Sequence, residues 1–460
     1  MPAMSLPNSD SGPLPLRDTV LTRPALPVFI SGWGRTPRIH ASGYDIESFE
    51  EILPLLKQET GDFIVHALGR SYGDSSLSRN VILTRRLNAI LNFDPDTGIV
   101  ICESGVSLFD LIDVFLPRGW FLSVTPGTKF ITVGGAIAGD VHGKNHHKTG
   151  CFSTSVIRMD VLVPSGQIIT CSSQTHRELF LATCGGMGLT GVILSAELQL
   201  QPVQSAFIDQ EIIKCRNLWE TIDTFHQYHL STYSVAWIDC LSQGKDLGRS
   251  LLMVGEHAQS GRLRLPDIHR HSVPFDVPGI CLNPYSVSLF NAIYYAKTRR
   301  QHISNTVSLN TFFYPLDAIL QWNRIYGKNG FTQYQMVLPL ESSHAGLKAI
   351  LTRIARSGMG SFLAVLKLFG PTNENYLSFP LKGFTLALDF KMVSRLLPLL
   401  NELDRIVLDH DGRIYLSKDV RMKSETFQKS YPDLEKFREI RRHYGATTQF
   451  NSLQSRRLEI

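Results

Sequence analysis

No stretch of the chain approaches the roughly 20 uninterrupted apolar residues that a membrane-spanning helix requires, so it is not read as an integral membrane protein. Its first residues, "MPAMSLPNSDSGPLPLRDTV", lack the basic cluster and apolar run of a secretory signal, which predicts a cytoplasmic location. Cysteine is scarce: seven residues, an odd number, never spaced as CxxC. That argues against a disulfide framework or a structural zinc site and predicts reduced, mostly buried thiols. Charge of one sign is lacking too. Against 46 Lys and Arg stand 41 Asp and Glu, a net +5, too mild to argue for a nucleic-acid partner. Two nucleotide signatures are also missing, GxGxxG with an acidic residue ~20 positions later and GxxxxGKS or GxxxxGKT, which disfavours a Rossmann unit and a P-loop NTPase.

What is present is a soluble composition, 43% apolar and 19% charged over 460 residues, long enough for two domains. The first 200 residues predict an α+β order with strands pairing locally. "DFIVHALGRSYGD" (62–74) is a strand running into a turn at Gly69–Gly73, and "SVIRMDVLVPSGQIIT" (155–170) is a hairpin around ProSerGly. "SLFDLIDVFLPRG" (107–119) predicts a helix with Ser107 and Asp110 as a capping box and Gly119 as its stop; "THRELFLAT" (175–183) predicts another, capped by Thr175 and Glu178. "GLTGVILSAELQLQPV" (188–203) returns as a long strand. The texture changes near Pro202, and residues 259–302 read as a proline-punctuated, basic and aromatic loop. From 331 onward the pattern is β-α-β-β-α-β, predicting an antiparallel sheet with helices on one face, Gly358 and Gly412 ending the two helices.

Chemistry concentrates in glycine-rich turns: "LGRSYGDSS" (68–76), "TPGTKFITVGGAIAGDVHGKNHHKTG" (125–150) and "CGGMGLTGV" (184–192). Such turns let backbone amides surround phosphate oxygens, and three of them in one region predict an extended, phosphate-containing ligand such as a nucleotide cofactor. His142 and His146 are four apart, as in a zinc helix, but Gly139, Gly143 and Gly150 make a helix improbable and no carboxylate lies where a base would be needed. No metal site is predicted, and at least one of the histidines is expected to line a cofactor or substrate pocket, His142 before His146 and His147, which are expected to be structural or substrate-orienting.

Taken together, "HALGRSYGDSS", "PGTKFITVGGAIAGDVHGKNHHKTG", "CGGMGLTGV" and "RIYLSKDVR" resemble the FAD-dependent oxidases of the vanillyl-alcohol oxidase superfamily. Within it they look most like the polyprenylphosphoryl-ribose 2-oxidases, the flavin half of a two-enzyme epimerase. The resemblance runs from "SGWGRTPR" (31–38) to "SRRLEI" at the end. It implies a two-domain α+β fold, with a PCMH-type FAD-binding domain over residues 1–202, a substrate domain with an antiparallel sheet flanked by helices over 203–411, and a C-terminal return to the FAD-binding domain over 412–460.

The resemblance also implies roles. Gly69, Arg70, Ser71, Tyr72, Gly73 and Asp74 would cradle the FAD pyrophosphate. Pro126, Gly127, Thr132, Gly134, Gly135, Ala138, Gly139, His142, Gly143 and Asn145 would run along the pyrophosphate and isoalloxazine, with Gly191 and Ile193 near the adenine end and Tyr415 beside the ring. Tyr72 stands where related aldonolactone oxidases carry a flavin-linked histidine, so the FAD is expected to be non-covalent. Lys418, at the end of the last strand, would be the cation near the flavin N1/C2 carbonyl. His142 is the first choice for the substrate proton, since imidazole titrates nearest neutrality, with Tyr72 and Lys418 as competitors. Lys144, Gln333, Gln335, Lys367, Thr385 and Lys418 would meet the substrate. Actinobacterial members carry cysteine where this chain has Ala387 and asparagine where it has Thr385, so inhibitors that trap that thiol are expected not to bond here.

The implied reaction is oxidation of the 2-hydroxyl of a polyprenylphosphoryl ribose to the 2-keto form, which an NADH-dependent short-chain reductase then converts to the arabinose epimer. An enzyme oxidising a soluble sugar, polyol or aldonolactone is the alternative, and a non-enzymatic flavoprotein the third reading. Residues 259–300 are expected to be either a lid or a peripheral membrane contact at the inner face of the membrane.

Overall fold

The computed structural model describes residues 24–266 and 271–460. The leader reading, which rests on residues 1–20, lies outside the described residues, as do residues 267–270 of the basic run "RLRLPDIHRH". Three sheets carry the fold. The first joins Leu26–Ser31 and Arg38–Asp45 antiparallel, then Asn80–Leu83 and Phe63–His66 in parallel. The second is antiparallel, with the long strand Val192–Pro202 between Ile99–Glu103 and Val156–Leu162 and also pairing with Trp120–Leu122. Pairing in this half is therefore less local than the sequence predicts, because the strand with the strongest alternation is long enough to serve three partners.

The third sheet has eight antiparallel strands in the order His302–Ser308, Phe207–Cys215, Ser250–His257, Tyr233–Ile238, Ala364–Phe369, Gly383–Lys391, Phe331–Pro339 and Arg413–Ile414. The β-α-β-β-α-β order from 331 is present. The helix Leu340–Ser357 buries Ser343, Gly346, Leu347, Ile350, Leu351 and Ile354, the spacing of one apolar face. It packs on the sheet beside Leu396–Asp409, whose Asp404 accepts a 3.1 Å hydrogen bond from Tyr334 of the strand beneath. The opposite face of the sheet is left for Gln333, Gln335 and their neighbours.

Local signals are met unevenly. Ser107 and Asp110 form the expected capping box, and Gly119 is left-handed at φ 84°. Thr175 does not cap its helix: Ser172 Oγ holds the amides of Gln174 and Thr175 in a turn, and Arg177–Thr183 begins after His176 with no side-chain cap. Gly358 ends its helix as expected, but at the second helix the left-handed residue is Asp411, φ 55°. The last strand is only Arg413–Ile414; Tyr415 then gives its amide to Gln335 O, and a 3-10 turn follows at Leu416–Lys418. Lys418 thus sits on a turn and not at a strand end. Residues 259–302 are not one loop either, because they contain the helix Pro284–Lys297. All seven cysteines are free, and six are buried.

Candidate active site

The site lies where the turn 69–73, the segment 125–150 and the turn 415–418 face the bare side of the eight-stranded sheet. The turn 69–73 is pinned from behind: the Tyr72 amide donates to Ser417 O at 2.9 Å, and a Cβ on Gly73 would lie 1.8 Å from Asp419 O. Only glycine passes there. Thr132 caps the short helix Val133–Ala138, which carries Gly134, Gly135 and Ala138, by accepting from the Gly135 amide. Next come Gly139, whose carbonyl accepts from the Tyr415 hydroxyl at 2.7 Å, and His142, bridged to Cys151. Gly127, next to Pro126, differs from these tightly packed glycines, since a Cβ there would meet nothing within 4 Å.

The sheet supplies the floor. Register sets Gln333 opposite Asp389, Gln335 opposite Ala387, Lys367 opposite Thr385, and Trp237 opposite Val365, which itself faces Ala387. Gln335 Nε2 donates to His142 Nε2 at 3.0 Å and to Thr385 Oγ1 at 3.2 Å, and the Thr385 hydroxyl donates to Met336 O at 2.8 Å. Both amide hydrogens are spent, so His142 accepts at Nε2 and carries its own hydrogen on Nδ1. That Nδ1 is buried without a partner. Around the imidazole stand Phe369, Tyr415 and Phe379 at ring distances of 4.8, 5.3 and 5.7 Å. His146 is pushed to the back, where its Nδ1 accepts from the Gly370 amide, and His147 Nε2 donates to Ser231 O at 2.8 Å.

Three lysines converge here without an ion-pair partner among the described residues. Lys418 Nζ lies 3.9 Å from the centre of the Tyr72 ring, and Lys144 donates to Phe312 O beneath its own ring contact. Each of the three is half-buried. Burial pulls Lys418 and Lys144 down to about 7 and Lys367 to about 8, and for Lys418 the Asp389 carboxylate works in the opposite sense. Burial and the neighbouring Lys367 hold His142 well below its usual range, so the ring is neutral. Asp389, a residue that sequence reasoning missed, accepts from Gln333 Nε2 at 2.6 Å and from the Tyr326 hydroxyl at 3.4 Å; burial raises it to about 7. The signal was available in "FTLALDF", where alternation puts Asp389 on the face of Thr385 and Ala387.

Several positions expected at a cofactor prove to hold the walls with their side chains. Asp74 turns away to Arg457, which bridges it to Asp419 at 2.8 and 2.9 Å, because a largely buried guanidinium needs counter-charge. Asn145 ties Ser123 O to Thr149, Ser71 bonds Ser76, and Ile193 lies in the core beside Gly191, whose Cβ direction is closed by Leu162 O. Thr385 supports Gln335 from below. A shallow hollow between Arg38 and Lys328 lies elsewhere and holds none of these residues.

A bound FAD fits what remains open. Arg70 Nε is buried without a partner while its guanidinium lies 4.0 Å from the centre of the Trp33 ring, and His142 Nδ1 is the second orphan donor. Orphan donors beside an open glycine and uncompensated lysines are what an anionic, planar ligand would satisfy. Arg70, Gly127 and the turn 69–73 would hold it, with Lys418 and Tyr415 beside its reactive end.

Comparison with known proteins agrees. An FAD binding domain family matches residues 43–172. The decaprenylphosphoryl-beta-D-ribose oxidase of Mycolicibacterium smegmatis is 37% identical over 453 residues, 94% of this chain and 97% of that protein. An uncharacterized protein of Streptomyces coelicolor, from the mprA 5′ region, is 30% identical over 77% of this chain and all of its own length. The L-gulonolactone oxidase of Bos taurus is 28% identical over 38% of this chain and 41% of its own. With an oxidase matched almost end to end and an FAD binding domain over the turn 69–73 and the segment 125–150, the chain is an FAD-dependent oxidoreductase and belongs to the decaprenylphosphoryl-β-D-ribose oxidase family.

Proposed function

We propose that the protein oxidises the 2-hydroxyl of a polyprenylphosphoryl β-D-ribose to the ketone, the first half of an epimerisation that a separate NADH-dependent short-chain reductase completes, and that it works at the inner face of a membrane. The observation that carries this reading is the pair Lys144 and Lys367, two neighbouring lysines of the site that no carboxylate faces. A neutral polyol gives no compensation for burying them, whereas a phosphoryl group does. Domain boundaries near residues 202 and 411 belong to the same reading.

A bound FAD would supply the acceptor for the hydride. The chain's own residues do the rest. Lys144 and Lys367 hold the phosphoryl oxygens, and His142 Nδ1 with Gln335 behind it orients a sugar oxygen. Sequence reasoning put His142 first for the proton, but its buried ring is far less basic than Lys418, whose value near 7 suits a general base at neutral pH. Lys418 Nζ takes the hydroxyl proton, and the ammonium that results offsets the negative charge left by reduction.

The test is anaerobic loss of the flavin absorbance near about 450 nm on adding a polyprenylphosphoryl ribose, with free ribose, polyols and aldonolactones in parallel. Bleaching by the soluble compounds alone would replace this reading with the soluble-substrate one. Since Tyr72 cannot form a histidyl link, acid precipitation should leave the flavin in the supernatant.

A further inference from the structure

We propose that the helix Pro284–Lys297, with the basic residues after it, is the face on which the protein rests against an anionic lipid layer, the helix lying along the layer. The proposal rests on the lipid-linked substrate reading above. Asn283 caps the helix by accepting from the Tyr285 and Ser286 amides, and only Val287 and Asn291 are buried, Asn291 donating to Asp239 at 2.9 Å. Toward the outside, Tyr285, Leu289 and Ile293 recur every four residues at 86, 62 and 60% exposure, with exposed Ala292 before and Ala296 after Ile293, and Ile280 at 82% just before the helix. No charge interrupts this stripe until Lys297; exposed Arg299 and Arg300 follow, and no acidic residue lies between Asp276 and Asp317. An uncharged apolar stripe ending in three cations matches a layer with apolar chains and anionic headgroups.

The inner side of the helix joins this face to the site. Tyr294 lies 4.7 Å from Trp237 by ring centres. Trp237 begins the row Trp237, Val365, Ala387, Gln335, which crosses four adjacent strands to the residue bonded to His142. Three inter-strand steps span about 14 Å. A polyprenyl tail can thus stay in the lipid while its phosphoryl sugar reaches the lysines.

The experiment is flotation of the full-length holoprotein with vesicles of phosphatidylcholine alone and of phosphatidylcholine mixed with phosphatidylglycerol. Wild type should float with the mixed vesicles and do so less at high salt. The double variant Leu289→Glu with Ile293→Glu should lose more than about tenfold in vesicle partitioning while keeping its flavin and its bleaching by a short-chain, water-soluble phosphoryl ribose. Replacing Lys297, Arg299 and Arg300 by Gln should abolish the preference for the mixed vesicles. Equal flotation of wild type and the double variant overturns the proposal. So does self-association of wild type that the double variant loses, without vesicle binding, because a second copy would then cover the stripe. Flotation without any bleaching would leave the surface standing and overturn the oxidase reading instead.

Discussion

Burial has acted on Lys418 and His142 in the same direction with different consequences. Each has lost affinity for a proton, but from a starting value near 10.5 Lys418 arrives at about 7, whereas His142 falls out of the useful range. Lys418→Met should therefore slow flavin reduction about 10²–10⁴-fold, and His142→Gln only about tenfold, the worth of one hydrogen bond of ~1.4 kcal/mol; anaerobic stopped-flow measures both, and equal losses would refute the assignment. The pH dependence follows by sign. A base must be neutral, so the rate rises as pH climbs through about 7 with Lys418; phosphoryl binding needs cations, so affinity falls as pH climbs through about 7 for Lys144 and about 8 for Lys367. A bell-shaped kcat/KM profile is expected, and in Lys367→Met the KM should rise and the rising limb should move to higher pH, because Lys367 is one of the groups that depress Lys418.

Among the elements, the strands 331–339, 364–369 and 383–391 were the most legible, because apolar residues at every second position announce which face the helices cover. Alternation thereby put Gln333 and Gln335, and separately Thr385, Ala387 and Asp389, on the open face. Sequence could not say which residue of one strand faces which of the next, so the Gln333–Asp389 and Gln335–His142 contacts stayed hidden. Ala387 tests the register directly. Being in line with Gln335 and partly exposed to the cavity, it should make the wild type inert to inhibitors that trap a pocket thiol, while Ala387→Cys should gain one covalent adduct by intact-mass spectrometry.

At the scale of the molecule, the two halves are sewn together by a carboxylate. Asp140 is fully buried and accepts from Ser378 at 2.6 Å, Asn373 at 2.7 Å and Asn375 at 2.9 Å, while its second oxygen takes the Ser153 amide at 3.1 Å. The wall that carries His142 is thus fixed to the segment after the strand Ala364–Phe369. Asp140→Ala would strand the buried donors of Ser153, Asn375 and Ser378 at roughly 1–3 kcal/mol each, less any relaxation, and release the half-buried Asn373; the expected outcome is about 3 kcal/mol or more lost in denaturant unfolding, with faster flavin release. A variant as stable as wild type would show that the seam is not needed.

The sequence by itself determined the classes of element and the chemistry on offer: glycine turns shaped for phosphate, a strand face bearing amides and a lysine, and motifs of an FAD-dependent oxidase. Those are properties of spacing and residue type, readable along the chain. Tertiary structure alone decided which of those residues work together. It turned Asp74 to Arg457, stopped the last strand before Tyr415, brought Asp389 beside Gln333, and withheld carboxylates from Lys144 and Lys367. Desolvation and partner choice depend on neighbours hundreds of residues away, and these set which lysine gives up its proton near neutral pH and which histidine stays neutral.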